Sequence, residues 1–456
     1  MTDDEKQLAS SAIRFPSSSF QKMNYSQSIR FLDSFLNLEK LSQLPQNSFF
    51  NLWRMEHLLK ISGHAERQFL PVLIAGTTGK GSTGFFLESI LRANHVPAGY
   101  YHSPHVEDVR ERIRIDGRMA SKTLWAAGLS RVRALLSKRP LPRGLGALTD
   151  FEITTFLAFL LFAETKRRVG IFEIGLGGRL DATNVLQAPL VVLTPIHLDH
   201  EHFLGNTVGK IAAEKAGIIK KKCFVVTGRQ LPEALRIIEK AARKKRGYLR
   251  RSKPLRGIPI GLRGDFQKKN AGTALEAAEV LRAEFGVPVA RESYRNAFKI
   301  KNWPGRMERF RRFGREFILD GAHNPISAAA LVRSLHPSQH RVLTPGVNTR
   351  CWKGWVVFGA MQDKNSKAML KELSRHFRKI IVTGIANNRA KTAGMLLEEA
   401  KNLFKCVLPA QNTGEALRLA RKVSDPSEPI VVTGSFYLAG EARKLLKTER
   451  RRKDGG

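Results

Sequence analysis

The sequence predicts an α/β fold in two domains, and three observations lead there. Short apolar or β-branched runs alternate with stretches of helical periodicity, the pattern of a doubly wound sheet whose strands are buried on both faces. The alternation occurs twice, separated by an apparent corner around "FKIKNWPGRMERF" (298–310). With 456 residues the chain is long enough for two or three separate cores.

In chain order, residues 1–70 read as helical and amphipathic, notably "YSQSIRFLDSFLNLEKL" and "NLWRMEHLLKISGH". "PVLIA" (71–75) is the first expected strand; it feeds "AGTTGKGST" (75–83) and the amphipathic stretch "GFFLESILRA". "FLAFLLFA" (156–163) lies inside a helix-like segment and is too short to span a bilayer. "RVGIFEIG" (168–175) and "PLVVLTPI" (189–196) are further buried parallel strands. Residues 240–262 break the pattern with charge, Pro and Gly, and are expected to form a surface excursion. The boundary falls near 299, giving domains 1–298 and 299–456. The second series runs through "EFILDGAH", "GWVVFGAM", "RKIIVTGI" and "PIVVTGSF", with a turn-rich loop or insertion at 335–354. No repeat of fixed period is visible.

Hydrophobic residues make up 42% and charged residues 26%, ordinary for a globular chain. Cys223, Cys351 and Cys406 lie far apart without metal-ligand spacing. The start, "MTDDEKQ", resembles neither a secretory signal nor a transit peptide, so a cytoplasmic protein without membrane attachment is expected. The net charge of +37 favours polyanionic partners. Its clusters, "IIKKKC", 240–256, "RFRRFGR" and "KTERRRKDGG", read as solvated faces, and none carries an RNA-binding or helix-turn-helix signature. No dedicated nucleic-acid partner is expected.

The loop after the first strand carries the chemistry. A strand entering a glycine-rich turn that opens a helix builds an anion site from backbone N–H groups and the helix dipole. Gly76, Thr77, Thr78, Gly79, Lys80, Gly81, Ser82 and Thr83 form this loop. Lys80 brings charge to the terminal phosphates, and a hydroxyl of Ser82 or Thr83 suits magnesium. The spacing is shorter than the common phosphate-loop signature, with Gly81 inserted between Lys80 and Ser82. By itself it competes with a tight turn bearing an incidental lysine.

The surrounding blocks decide between them. In order they are "YHSPHVEDVRERI" (101–113), "FEIGLGGRLDATN" (172–184), "LDHEHFLG" (198–205), "IAAEKAGIIKK" (211–221), "GDFQKKNA" (264–271), "WPGRMER" (303–309), "DGAHNP" (320–325), "FGAMQDKN" (358–365) and "VVTGSFYLAGEAR" (431–443). With the loop they resemble the folylpolyglutamate synthase and dihydrofolate synthase family, within the Mur-type amide ligases. The resemblance spans about residues 50–445. It implies an N-terminal P-loop ATPase-type domain with a parallel sheet and a smaller C-terminal Rossmann-like α/β domain. It further implies an ATP- and magnesium-dependent ligase that adds L-glutamate to dihydropteroate, to a reduced folate, or to both, through an acyl phosphate, working as a monomer.

Carried over residue by residue, the resemblance puts one magnesium on Ser82 and a second on Ser103, Glu173 and His200. It puts Asn270, Arg306, Asp320 and His323 on the nucleotide, and makes Lys80, Lys215 and His323 the catalytic side chains. Lys215 is the family's carbamylated lysine, whose chemistry requires a neutral amine; on sequence alone it reads as a surface lysine. Glu173 could otherwise cap a turn, and His200 could be a satisfied polar residue. Three positions depart from the family: Thr78 replaces asparagine, His102 replaces threonine before Ser-Pro-His, and His197 stands where a small residue is usual. The competing readings are a Mur-type ligase of a cell-wall precursor and a basic nucleic-acid-binding protein with a vestigial nucleotide site.

Overall fold

The structure, a computed structural model, describes residues 22–37, 51–335, 341–342 and 351–451. The first sheet contains β1 (Leu70–Ala75), β2 (Ala98–Tyr101), β3 (Ile113–Ile115), β4 (Arg118–Met119), β5 (Val169–Glu173), β6 (Leu190–Leu193), β7 (Phe224–Thr227) and β8 (Tyr248–Arg251). Its order is β4-β3-β2-β5-β1-β6-β7-β8, parallel from β2 to β8 with β3 and β4 as an antiparallel edge. The second contains β9 (Glu308–Arg312), β10 (Arg315–Leu319), β11 (Arg341–Val342), β12 (Cys351–Phe358), β13 (Phe377–Thr383), β14 (Cys406–Ala410) and β15 (Ile430–Thr433). Here β14-β13-β12-β15-β10 are parallel, β9 closes one edge antiparallel, and β11 pairs with β12.

Both sheets are doubly wound because their central strands are apolar on both faces. Val72 and Ile74 of β1 enter one core and Leu73 and Ala75 the other, as the two-residue period of a strand requires. In β12, Val356 and Phe358 likewise part from Trp355 and Val357. The helix Asp150–Glu164 carries the "FLAFLLFA" run and is buried on all sides, its start fixed by a Thr149–Glu152 capping box. Among the described residues no helix is long and apolar enough to cross a membrane.

Three expectations change. Residues 240–251 are not an excursion: they complete the helix Pro232–Lys244 and form β8, whose register pairs Phe224 with Tyr248. Charged residues are tolerated there because an edge strand has one neighbour and a wet face; only 252–265 runs without helix or strand. Residues 351–354, read as loop, begin β12. The helical expectation for 1–70 is met at Tyr25–Asp33 and Trp53–Ile61, while its portions at 1–21 and 38–50, and most of the 335–354 loop, lie outside the described residues.

The second sheet's C-terminal helix, Phe436–Arg451, rests on the first half of the chain. Arg443 spans Glu308 (2.9 Å) and Glu107 (2.6 Å), Lys447 adds Glu107 (3.1 Å), and a Cβ on Gly440 would stand 2.0 Å from the Val106 carbonyl oxygen. Because that oxygen is backbone, Gly440→Ala is expected to cost about 1–3 kcal/mol. It should lower the melting temperature and raise KM for ATP together; an unchanged melting curve would contradict this packing.

Candidate active site

The parallel strands of the first sheet end at the site. After β1, Gly76 adopts φ +151° and packs so tightly that a Cβ would lie 1.9 Å from Thr194 Oγ1. Thr77 and Thr78 donate their N–H groups to the Pro195 carbonyl (2.9 and 3.3 Å), and Thr77 Oγ1 bridges the backbone of His197. The first half of the loop is therefore tied to the segment after β6. That leaves the amides opening the helix Lys80–Ala93, which lack intrahelical partners, to face an anion. Gly79, at φ +86°, has no room for a Cβ, which would fall 2.5 Å from Asn270 Oδ1.

The glycine that makes the loop irregular has a spatial reason. A Cβ on Gly81 would lie 3.3 Å from Arg306 Nη2 and 3.5 Å from Glu173 Oε2, so its bare backbone lets a cation and a carboxylate approach the helix start. Lys80 Nζ donates to the Gly76 carbonyl (3.1 Å) and stands 3.9 Å from Glu173 Oε1. Tyr100 donates to the Gly81 carbonyl (3.0 Å) and reaches Glu173 Oε2 at 3.4 Å. Burial pushes the Glu173 carboxyl up, against Lys80, Arg306, Tyr100 and the Ser103 N–H. Ser82 Oγ accepts from Gln267 Nε2 (3.3 Å), and Asn270 donates to Gln267 Oε1 (3.0 Å).

The second half of the chain contributes from the loops around β9 and β10. Asp320 accepts the N–H groups of Met307 and Ala322, both at 2.9 Å, and burial raises its carboxyl to about 6. The Arg306 guanidinium lies over the Phe436 ring at 4.1 Å. His323 Nδ1 meets the Gly321 carbonyl at 2.8 Å, and burial, then Lys364, lowers its imidazole to about 4. Donation from Nδ1–H to that carbonyl leaves Nε2 as an acceptor.

A third cluster crosses between the halves. Asp199 pairs with Lys364 Nζ (3.0 Å) and accepts from Asn324 Nδ2 (3.1 Å), while Lys364 Nζ also meets His200 Nε2 at 3.0 Å. Burial, reinforced by Lys364, holds the His200 imidazole neutral, near 3. Burial alone would raise the Asp199 carboxyl; its interactions with His200, Lys364 and His323, Lys364 being the permanent cation among them, hold it well below the usual carboxylate range. Lys215 is buried at the end of the helix Val208–Ala216, and burial followed by repulsion from Lys80 lowers its amine to about 7. It is not the surface lysine its sequence neighbourhood suggested.

The expected metal-binding residues are only partly assembled. Among the described residues no three His, Cys, Asp or Glu side chains converge as a metal cage. Magnesium suits a sparser set, since it prefers hard oxygens and keeps several waters. Ser82, Ser103 and Glu173 line one cavity, and the buried Glu173 carboxylate is the oxygen donor such a cation needs. His200 lines it too, but its Nε2 faces the Lys364 ammonium, which would have to withdraw before that nitrogen joined the set.

Lys80, Ser82, Ser103, Glu173, Asp199, His200, Lys215, Asn270, Arg306, Asp320, His323 and Lys364 border a single cavity of about 840 Å³ together with Arg54, Phe151 and Arg179. Arg54, from the helix Trp53–Ile61, is fixed by Glu152 (2.8 Å) and the Leu145 carbonyl (3.1 Å). Arg112 is buried and donates to His105 Nδ1 (3.1 Å). His102 is buried between Tyr100 and Trp303, its imidazole held neutral by burial and the neighbouring arginines. His197 serves the loop through its backbone. Gln267, Asp199, Asn324 and Lys364 lie within the motif blocks of the sequence, where nothing in local order marks them. Only their contacts across the fold distinguish them from other polar residues.

Comparison with known proteins agrees with this geometry. Residues 305–436 match the Mur ligase, glutamate ligase domain family. The chain is 31% identical to the dihydrofolate synthase/folylpolyglutamate synthase of Bacillus subtilis, over 87% of this chain and 95% of that protein. It is 32% identical to the protein of the same name from Mycobacterium tuberculosis, over 87% and 90%. Its fold matches M. tuberculosis folylpolyglutamate synthase complexed with ADP at a TM-score of 0.82 and 29% identity, covering 92% of this chain and 98% of that one. It matches E. coli FolC in complex with DHPP and ADP at 0.79 and 26%, covering 94% and 100%. Identities of 31–32% to dihydrofolate synthase/folylpolyglutamate synthases over 87% of this chain, with the same fold at a TM-score of 0.82, place it in the dihydrofolate synthase/folylpolyglutamate synthase family.

Proposed function

We propose that the protein is an ATP-dependent ligase that adds L-glutamate to dihydropteroate, to reduced folates, or to both, through an acyl phosphate. The convergence of the loop residues Gly76–Ser82 with Arg306, Asp320 and His323 in one cavity carries this reading. On the proposed division at 298/299, the nucleotide lies between two domains, whose closure excludes water from a hydrolysable intermediate. The acceptor carboxylate attacks the γ-phosphoryl group, the β,γ-bridging P–O bond breaks and ADP leaves; Lys80, Arg306 and the helix-opening amides stabilise the spreading charge. Asp320 and His323 position the nucleotide. The glutamate amine then attacks the acyl carbon, and the tetrahedral intermediate collapses to amide and phosphate.

Magnesium, proposed as two ions held by Ser82 and by Ser103, Glu173 and His200, supplies further charge neutralisation on the phosphates. Lys215 is proposed to react with carbon dioxide. Below about pH 7 its amine is protonated and unreactive; above it the neutral form predominates. Activity after removal of dissolved carbon dioxide is therefore expected to recover with bicarbonate, and more completely at pH 8 than at pH 6. Lys215→Arg, permanently cationic, should lose on the order of 10–100-fold and show no bicarbonate response. A bicarbonate-independent wild type would exclude carbamylation.

The deciding assay follows labelled glutamate with dihydropteroate and tetrahydrofolate as alternative acceptors. Incorporation requiring ATP with either acceptor supports the proposal. ATP-dependent turnover with neither acceptor overturns it.

A further inference from the structure

The cavity lies at the C-terminal ends of the parallel strands; a different chemistry occupies the opposite end. Two turns there, Lys220–Lys222 before β7 and Lys244–Gly247 before β8, are joined by a hydrogen bond from the Lys222 N–H to the Lys245 carbonyl (2.8 Å). They bring together the exposed side chains of Lys221, Lys222, Arg243, Lys244, Lys245 and Arg246. Nearby Arg250 and Arg251 are neutralised by Glu284 and Glu239, whereas none of these six forms an ion pair among the described residues. Lys220, partly buried alongside, has its amine lowered to about 8 by burial and then by Lys245.

An aromatic platform adjoins the charge. Tyr248 is 57% exposed, and its ring stacks on Phe224 with centroids 5.0 Å apart at 26°; Phe224 in turn meets the edge of Phe285. Cations that track a phosphodiester backbone, beside an exposed aromatic ring, are the elements of sequence-tolerant single-strand recognition. A duplex keeps its bases stacked away from such a ring. An anionic membrane surface would call for exposed aliphatic anchors, and the exposed large hydrophobic residue of this turn pair is Tyr248 itself.

We propose that this end of the first sheet binds single-stranded polynucleotide, with the six cations contacting phosphates and Tyr248 stacking on a base. The surface is separate from the ligase cavity, because the β7 and β8 strands stand between them.

The test uses the full chain and labelled 16-nucleotide RNA and DNA of one mixed sequence, followed by fluorescence anisotropy across a salt series. Lys244→Gln/Lys245→Gln/Arg246→Gln is expected to weaken binding at least about tenfold at low salt. It should also flatten the log–log salt slope by about 2, since each lost phosphate contact contributes about 0.7. Tyr248→Ala should weaken binding about fivefold or more while leaving the slope unchanged. Lys367→Gln/Lys371→Gln/Arg375→Gln, removing equal charge from the exposed side of the second half, should stay within about threefold of wild type. Saturating ADP should not displace the oligonucleotide, and ATP-dependent turnover of the first triple variant should equal wild type. Equal losses in both triple variants, displacement by ADP, or binding to anionic vesicles without binding to either oligonucleotide would each overturn the proposal.

Discussion

Lys80→Ala is expected to reduce ATP-dependent glutamate incorporation by about 10²–10³-fold or more, with the fold preserved. The Lys80 ammonium stands 3.9 Å from the buried Glu173 carboxylate, and the Arg306 guanidinium approaches the same helix opening beside Gly81. Its hydrogen bond within the protein goes to the Gly76 carbonyl, a contact that positions the side chain over the loop. Removing it strips charge from the place where the transferring phosphoryl group spreads its own. The loop's geometry should survive, because Thr77 and Thr78 anchor it through Pro195 and His197. Circular dichroism and melting should therefore be close to wild type while turnover collapses. Near-normal turnover in this variant would refute the assignment of the loop as the ATP site.

The second large effect concerns Glu173. Glu173→Gln keeps the shape and a hydrogen-bond acceptor for Tyr100 or the Ser103 N–H, but removes the negative charge. In the wild type, burial makes this charge costly, and nearby cations offset the cost. The variant is expected to need at least about tenfold more magnesium for half-maximal incorporation, the scale on which loss of support at a metal site is felt. Its melting temperature should stay close to wild type, because relief of the buried carboxylate offsets the lost ion pairing, Arg306 keeps Asp320, and Lys80 and Tyr100 keep their Gly76 and Gly81 carbonyl partners. A magnesium titration identical to wild type would remove Glu173 from the proposed metal set. Lowered melting together with lost activity would make it a structural residue instead.

These two variants probe different links of one arrangement. Lys80 is proposed to act on the phosphates directly, and Glu173 through the cation it is proposed to hold. Both depend on Gly81, whose missing side chain lets Arg306 and Glu173 reach the helix start. The irregular spacing of the loop thus has a packing explanation that its sequence did not supply.

What the sequence alone determined was whatever is written in local order. Apolar runs such as "PVLIA" and "PIVVTGSF" predicted central strands, because a strand buried on both faces must be apolar throughout. The glycine-rich loop was legible as a junction because strand, glycine turn and helix follow one another directly, and the ordered blocks named the family. Short or charged strands were not legible: β2, β3, β4 and β7 have four residues or fewer, and β8 and β9 carry arginines at sheet edges. Tertiary structure decided which distant residues meet. It brought Lys364 to Asp199 and His200, Gln267 to Ser82, and Asn324 to Asp199, across 125 to 185 positions of chain. It also buried Lys215, which a helical period cannot reveal when the burying partners come from elsewhere in the chain. Periodicity reports which face of an element is apolar; pairing, burial and the resulting shifts in proton affinity arise only when those faces are packed together.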